Sequence, residues 1–219
     1  MKIALVGYGK MGQIIDELAT KKGHQIVAKL NETPTISSLN NAEVVIEFSN
    51  PEVAFNNIKF CLENKIPVIC GTTGWLSQKP EIEKIAVQNE TAFLYGSNFS
   101  LGVNLFFELN RKLAEMMAKF PEYNVQLEEI HHTHKKDAPS GTAISLAEDI
   151  IENNSTFDAW KLDATENKNL GIDAIRKDEV PGTHSVFYKS EVDEIEIKHT
   201  AFNRNGFAMG AIVAAEWIL

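Results

Sequence analysis

Residues 2–12 read KIALVGYGKMG, a short apolar run that ends in glycines spaced G-x-G-x-x-G. A run this short and this apolar suits a strand buried on both faces, as parallel sheets require. The glycine spacing then constrains the turn. Gly7 permits a tight strand-to-helix bend, Gly9 lets backbone approach a pyrophosphate, and Gly12 lets the helix pack close to the strand. The phosphates of a dinucleotide would sit at the positive N-terminus of that helix. The motif alone is weak, and its context supplies the weight. Helical spacing over Gln13–Lys22 stops at Gly23, and His24–Leu30 reads as a second strand. A glycine-rich turn in some other α/β fold is the rival reading, and the context favours the dinucleotide.

The alternation continues. Strands are predicted over 43–49, 67–70 and 91–95, with helices over 51–64 and 80–88; Pro51 suits a first helical turn. Strands and helices alternating at this spacing give a parallel sheet with crossovers. The character changes near Ser100. A long amphipathic helix is predicted over 102–119, a strand over 123–130, and a helix opening at Ser140 and running to Ile151. Residues 153–182 are polar and read as loop with at most one helix. HSVFYK and EIEIKHTA, within 184–201, alternate as antiparallel strands do, and 206–219 is an apolar helix returning to the first sheet. The expected fold is α/β: a Rossmann-type parallel-sheet nucleotide domain (1–99 and 203–219) with an inserted α+β substrate-binding and oligomerisation domain (100–202) whose sheet is mixed or antiparallel.

Bulk properties narrow the partners. A net charge of −9 argues against a nucleic-acid surface, which needs clustered Lys and Arg. Cys61 and Cys70 form no metal-type spacing and no disulfide framework, so a reducing cytoplasm is expected. No apolar stretch has the form of a signal peptide or the length to span a membrane.

The second strand should end at the residue that reads the adenosine ribose. An acid there favours NAD, and an arginine suits a 2′-phosphate. The sequence offers Asn31 and Glu32, with no arginine near and Lys10 the one cation expected to complicate the choice. Glu32 as ribose acceptor and Glu32 as solvated loop carboxylate both stand. Gly71-Thr72-Thr73-Gly74 and Gly96-Ser97-Asn98-Phe99 fall at the C-terminal ends of predicted strands, the edge where open α/β sheets bind ligands.

The densest chemistry lies in His131-His132-Thr133-His134-Lys135-Lys136-Asp137-Ala138-Pro139-Ser140-Gly141-Thr142. On a strand, His132 and His134 would share a face and His131 would point away. The segment offers no further soft ligand, so zinc is disfavoured and no metal is expected. A solvated loop is a second reading. The third is an acid–base and anion-binding site, and three features favour it. Histidine exchanges protons near neutrality. Lys135 and Lys136 bring positive charge into an acidic chain. Ser140 is a candidate N-cap, so the amides of Gly141 and Thr142 can hold a carboxylate.

Together these residues resemble a known family. H-H-x-H-K-x-D-A-P-S-G-T is similar to the signature of the 4-hydroxy-tetrahydrodipicolinate reductase (dihydrodipicolinate reductase) family, in a short form. FSNPE at 48–52, GTTG at 71–74, SNFSLGVN at 97–104, VPGT at 180–183 and the closing HTAFNRNGFAMGA extend the resemblance over essentially the whole chain. It implies an oxidoreductase of the diaminopimelate route to lysine. NADH or NADPH would deliver hydride to a small cyclic unsaturated imine dicarboxylate, giving tetrahydrodipicolinate. It also implies His131 as proton donor or acceptor and Lys135 as a second donor. His132, Ser140, Gly141, Thr142 and Thr73 would contact substrate. Gly7, Tyr8, Gly9, Lys10, Met11, Gly12, Asn31, Glu32, Gly71–Thr73 and Gly96–Phe99 would contact cofactor. A homo-oligomer, a tetramer in the family, would form through the sheet near 183–200, which is shorter here than in longer members. The rivals are another Rossmann dehydrogenase of similar layout and a non-catalytic NAD(P)-sensing protein, neither of which has reason to carry the His131–Thr142 segment.

Overall fold

A computed structural model describes residues 1–163 and 168–219. The chain divides into two compact units, Met1–Leu101 with Arg204–Leu219, and Gly102–Asn203.

The first unit is a five-stranded, all-parallel sheet in the order β2-β1-β3-β4-β5. Its strands are β1 (Lys2–Val6), β2 (Gln25–Leu30), β3 (Val44–Glu47), β4 (Val68–Cys70) and β5 (Phe93–Tyr95). Alternation along β1 sends Ile3 and Leu5 to one face and Ala4 and Val6 to the other, and all four are buried. The first face packs against α1 (Lys10–Lys21) and α7 (Asn205–Ile218), using Ile15, Ala19, Ala208 and Ile212. The second packs against α3 (Pro51–Glu63) and α4 (Lys79–Gln88), using Ile58, Leu62 and Ile82. Both faces are therefore dry, which is why these strands read as continuous apolar runs. A four-residue helix that the periodicity did not announce, α2 (Ile36–Leu39), is closed at its start by a Thr35–Ser38 capping box. The strand order reverses between β1 and β3, so their C-terminal ends open the crevice where doubly wound sheets take ligands.

The second unit holds a mixed sheet in the order β10-β9-β6-β8-β7. Its strands are β6 (Asn124–His131), β7 (Ala159–Leu162), β8 (Asn169–Arg176), β9 (Gly182–Lys189) and β10 (Glu194–Ala201). β9 pairs antiparallel with β6 and β10, while β8 runs parallel to β6 and β7. α5 (Leu101–Met117) and α6 (Gly141–Asn153) supply Phe106, Ala114, Leu146 and Ile150 to the core over the sheet. The loop expected over 153–182 is corrected here: it contains β7 and β8. Gly171 and Asp173 interrupt the apolar pattern of β8, yet Leu170 and Ile172 are fully buried. The part of that expectation at 164–167 lies outside the described residues. Among the described residues no helix is long and apolar enough to cross a membrane.

Candidate active site

The glycine turn is built as its spacing requires. Gly7 follows β1 with φ +92°, and a Cβ there would stand 2.1 Å from the Phe48 carbonyl oxygen. A Cβ on Gly12 would stand 2.4 Å from the Gly7 oxygen, whereas Gly9 faces open space. Helix α1 begins at Lys10, three residues earlier than the periodicity suggested, with Gly9 as its N-cap. The helix start and its dipole thus lie inside the glycine loop, as anion binding needs. Met11 is half-buried in the core beneath, and Lys10 is exposed at the first turn.

Two clefts flank this turn. One, of about 370 Å³, is lined by Gly9, Lys10, Ser49, Gly71, Thr72 and Thr73. The other, of about 460 Å³, is lined by Gly7, Asn31, Glu32, Asn50 and Asn57 among others. Asn57 is buried, and its Oδ1 has no hydrogen-bond partner among the described residues. The Asn31 side chain accepts the Tyr8 N–H at 2.7 Å, so it braces the loop from below. That leaves Glu32, exposed on the cleft, as the acid at the end of β2. The Tyr8 hydroxyl donates to Asp16, which also pairs with Lys29 at 2.6 Å.

Sequence reading missed what stands under these turns. Glu47, the last residue of β3, is fully buried. Its carboxyl accepts from the Ser49 hydroxyl, from the Thr72 hydroxyl at 2.7 Å and from the Cys70 thiol at 3.3 Å. Thr72 Oγ1 in turn accepts the Ser49 N–H at 2.9 Å. One carboxyl therefore ties the turn after β3 to the turn after β4. Thr73 is exposed beside them, and Phe99 packs its ring against Phe48 at 6.1 Å. Asn98 Oδ1 accepts the Ser100 N–H at 2.9 Å, which shapes the Gly96–Phe99 turn; Ser97 is exposed there.

The second unit gathers the histidine segment at one sheet edge. His131 is the last residue of β6, paired in register with Arg176 at the end of β8. Val125, Leu127, Glu129 and His131 alternate inward, so a carboxylate and an imidazole end a core-facing row. Glu129 Oε1 accepts from Arg176 Nη2 at 3.0 Å, and the Ser140 N–H reaches both carboxylate oxygens at 3.1 and 3.0 Å. Glu129 Oε2 stands 3.4 Å from His131 Nδ1 and 3.7 Å from His184 Nε2. Ser140 caps α6 through its hydroxyl, which accepts the Ala143 N–H at 3.2 Å and contacts His184 Nε2 at 3.1 Å. Gly141 and Thr142 form the first turn of that helix.

Burial favours the neutral form of Glu129, but contacts from His184 and Ser140 and the charge of His131 outweigh it and hold the carboxyl at about 2. His131 moves the other way from the expected near-neutral titration. Burial pushes it down to about 4; Glu129 opposes the shift, and His184, Lys135 and Arg176 add to it. At neutral pH the ring is uncharged.

The remaining residues of the segment separate. Lys135 is mostly buried and already paired with Asp137 at 2.7 Å. His132 is half-buried, 6.3 Å from the His134 ring, while exposed His134 faces Glu179 at 3.5 Å. Glu129, Arg176 and His184 had not been singled out from the sequence. They add a carboxylate and an imidazole from outside the segment to the surroundings of His131. Donor atoms of Glu129, His131 and His184 lie within 4.8 Å of one another. The Glu129 carboxylate is already matched by the Arg176 guanidinium and the Ser140 amide, so a metal ion would meet a resident cation.

A glycine turn at the switch point of a parallel sheet, with a buried histidine and clustered cations in a second unit, defines an NAD(P)-dependent oxidoreductase. Residues 1–99 match the profile described as dihydrodipicolinate reductase, N-terminus, and residues 102–219 match that described as dihydrodipicolinate reductase, C-terminus. The chain belongs to the dihydrodipicolinate reductase family. It is 51% identical to a 4-hydroxy-tetrahydrodipicolinate reductase of Christiangramia forsetii, across 100% of this chain and 92% of that protein. It is 36% identical to one of Rickettsia rickettsii, across 96% of this chain and 89% of that protein. The fold is shared with a dipicolinate-bound dihydrodipicolinate reductase from Paenisporosarcina sp. TG-14 at a TM-score of 0.78 and 22% identity, covering 100% of this chain and 94% of that one.

Proposed function

We propose that this chain reduces 4-hydroxy-tetrahydrodipicolinate, through dihydrodipicolinate, to tetrahydrodipicolinate in the diaminopimelate route to lysine. In this reading the parallel-sheet unit binds NADH or NADPH and Gly102–Asn203 binds the cyclic dicarboxylate. The observation that carries it is His131, buried at the end of β6 with Arg176, His184, Lys135 and the start of α6 around it.

The cofactor site fits a dinucleotide. Gly9 leaves open space at a helix N-terminus, and the buried Oδ1 of Asn57, unpartnered among the described residues, lines the neighbouring cleft. Gly7–Gly12 would hold the pyrophosphate, Glu32 the ribose, and Gly71–Thr73 with Gly96–Phe99 the remainder. The bound cofactor supplies the hydride. Reduction of an unsaturated imine leaves an electron-rich carbon that must take a proton, and His131 delivers it. His131 is neutral in the free protein because burial and nearby cations disfavour a charged ring. A bound dianion offsets those cations, so the proton arrives with the substrate. Lys135, His132 and the first turn of α6 at Ser140, Gly141 and Thr142 hold the carboxylates; Lys135 exchanges Asp137 for a substrate oxygen. Thr73 is a further substrate contact by family resemblance. The chain works in the cytoplasm as a homo-oligomer, a tetramer by family resemblance. Support for the compartment comes from two free, buried cysteines.

The test is nicotinamide oxidation with freshly made substrate, run in parallel with NADH and NADPH. His131→Gln should lower turnover by about 10²–10⁴-fold and leave NADH affinity unchanged. Unchanged turnover would remove His131 from this role.

A further inference from the structure

Glu129 has no part in the chemistry above, yet it is a fully buried carboxylate with several partners. It has no exposed surface, it faces inward on β6, and it meets Arg176, the Ser140 amide, His131 and His184 together. A buried carboxylate held this way is costly to assemble, so its geometry invites a functional account.

We propose that Glu129 is the positioning residue for His131: its carboxylate, fixed by Arg176 and Ser140, keeps Nδ1 turned inward and protonated, so that Nε2 is the atom that exchanges the proton. This rests on the reading of His131 as the proton-exchanging group.

His131 Nδ1 is buried and has no hydrogen-bond partner among the described residues; the carboxylate oxygen facing it is Glu129 Oε2, at 3.4 Å. A bare Nδ1 would set its lone pair against that oxygen, whereas an Nδ1–H is attracted to it. In a neutral ring the other nitrogen is then unprotonated. Nε2 lies on the opposite edge, beside Gly182, where a Cβ would stand 3.1 Å from it. Glycine keeps that approach clear. Arg176, a donor only, cannot accept an Nδ1–H; it donates instead to Glu129 and, at 2.7 Å, to the Asp137 carbonyl, and so keeps the carboxylate in place.

The charged groups around the ring come from every neighbouring element: Glu129 on β6, Arg176 on β8, His184 on β9 and Lys135 in the loop that follows β6. Three of the four disfavour a charged ring, and Glu129 alone favours it. During turnover Nε2 takes a proton from solvent when the dianion binds and passes it to the substrate carbon. The ring returns to its neutral Nδ1–H form.

The first experiment needs no variant of Glu129. Nitrogen-15 spectra of histidine-labelled protein at pH 7, with the His131 signals identified by their loss in His131→Gln, should show Nδ1 protonated and Nε2 bare. An Nε2–H tautomer overturns the proposal. The second is kinetic. An orienting partner of a functional histidine is worth about 10–100-fold, so Glu129→Gln should lower kcat by that factor with little change in KM or NADH affinity. Its pH–rate limb for His131 should move to lower pH, a shift that a merely structural role would not produce. Glu129→Leu combined with Arg176→Met removes the pair without stranding a charge; wild-type kcat in that double variant overturns the proposal. The tautomer is read without turnover, so failure of the proposed reaction and failure of the positioning role are separately visible.

Discussion

The displaced titration of His131 makes a prediction about stability that is independent of catalysis. The ring is 7% exposed, and its pKa falls from the ordinary 6.5 to about 4. Burial is the largest cause; His184, Lys135 and Arg176 reinforce it, and Glu129 opposes it. Between those two pH values the unfolded chain binds a proton that the folded protein does not. His131 therefore contributes stability in full above about pH 6.5, and the contribution is lost as pH falls toward 4. The displacement corresponds to about 3 kcal/mol in total, of which about 2–3 kcal/mol is lost by pH 4.5. Glu129 acts with the same sign but lower, between 4.5 and about 2, so stopping at pH 4.5 leaves most of its contribution in place. The assay is urea unfolding of wild type and His131→Gln at steps from pH 7.5 to 4.5. His199 is also shifted down by burial, but it persists in both proteins and cancels in the difference. The wild type should lose stability more steeply on acidification, the gap between the proteins narrowing by about 2 kcal/mol or more. Parallel pH dependences would refute the reasoning, because they would mean that the buried ring is not the group taking up the proton.

Two further perturbations test the parallel-sheet unit. Gly210 on α7 packs so closely that a Cβ would stand 1.6 Å from the Phe99 carbonyl oxygen and 2.6 Å from its carbonyl carbon, backbone atoms that cannot swing aside. Helix propensity alone would make Gly210→Ala stabilising by about 1 kcal/mol, but forced overpacking costs about 1–3 kcal/mol or more. Tm should therefore fall and NADH should bind more weakly, as the Gly96–Phe99 turn shifts; a raised Tm would contradict the close approach. At the adenosine end, Asn31 is engaged by Tyr8, so Glu32 is left as the carboxylate that repels a 2′-phosphate. Glu32→Gln should raise the NADPH-to-NADH ratio of kcat/KM by about 2–10-fold, the scale of one exposed charge. An unchanged ratio would assign Glu32 to solvent.

The parallel sheet was readable because its central strands are buried on both faces and read as compact apolar runs, and because glycine turns follow β1, β4 and β5. The His131–Thr142 segment was readable because its residues are contiguous. What stayed hidden depends on register. Arg176 and His184 meet Glu129 only because β8 and β9 pair on either side of β6, and the apolar row of β8 is short, Leu170 and Ile172 with Gly171 and Asp173 on the other face. The Glu47 network is hidden in the same way, since Ser49 and Thr72 meet it from turns that follow different strands. Glu129 itself differs. Val125-Leu127-Glu129-His131 alternates, so the sequence already placed a carboxylate at an inward position of a predicted strand. Such a residue must find donors or stay neutral. The nearest donors in sequence were the histidines and the amides at the start of the next helix. An inward acid two residues before a candidate acid–base histidine was therefore a legible sign of a held ring. Its partners on other strands, Arg176 and His184, required the fold.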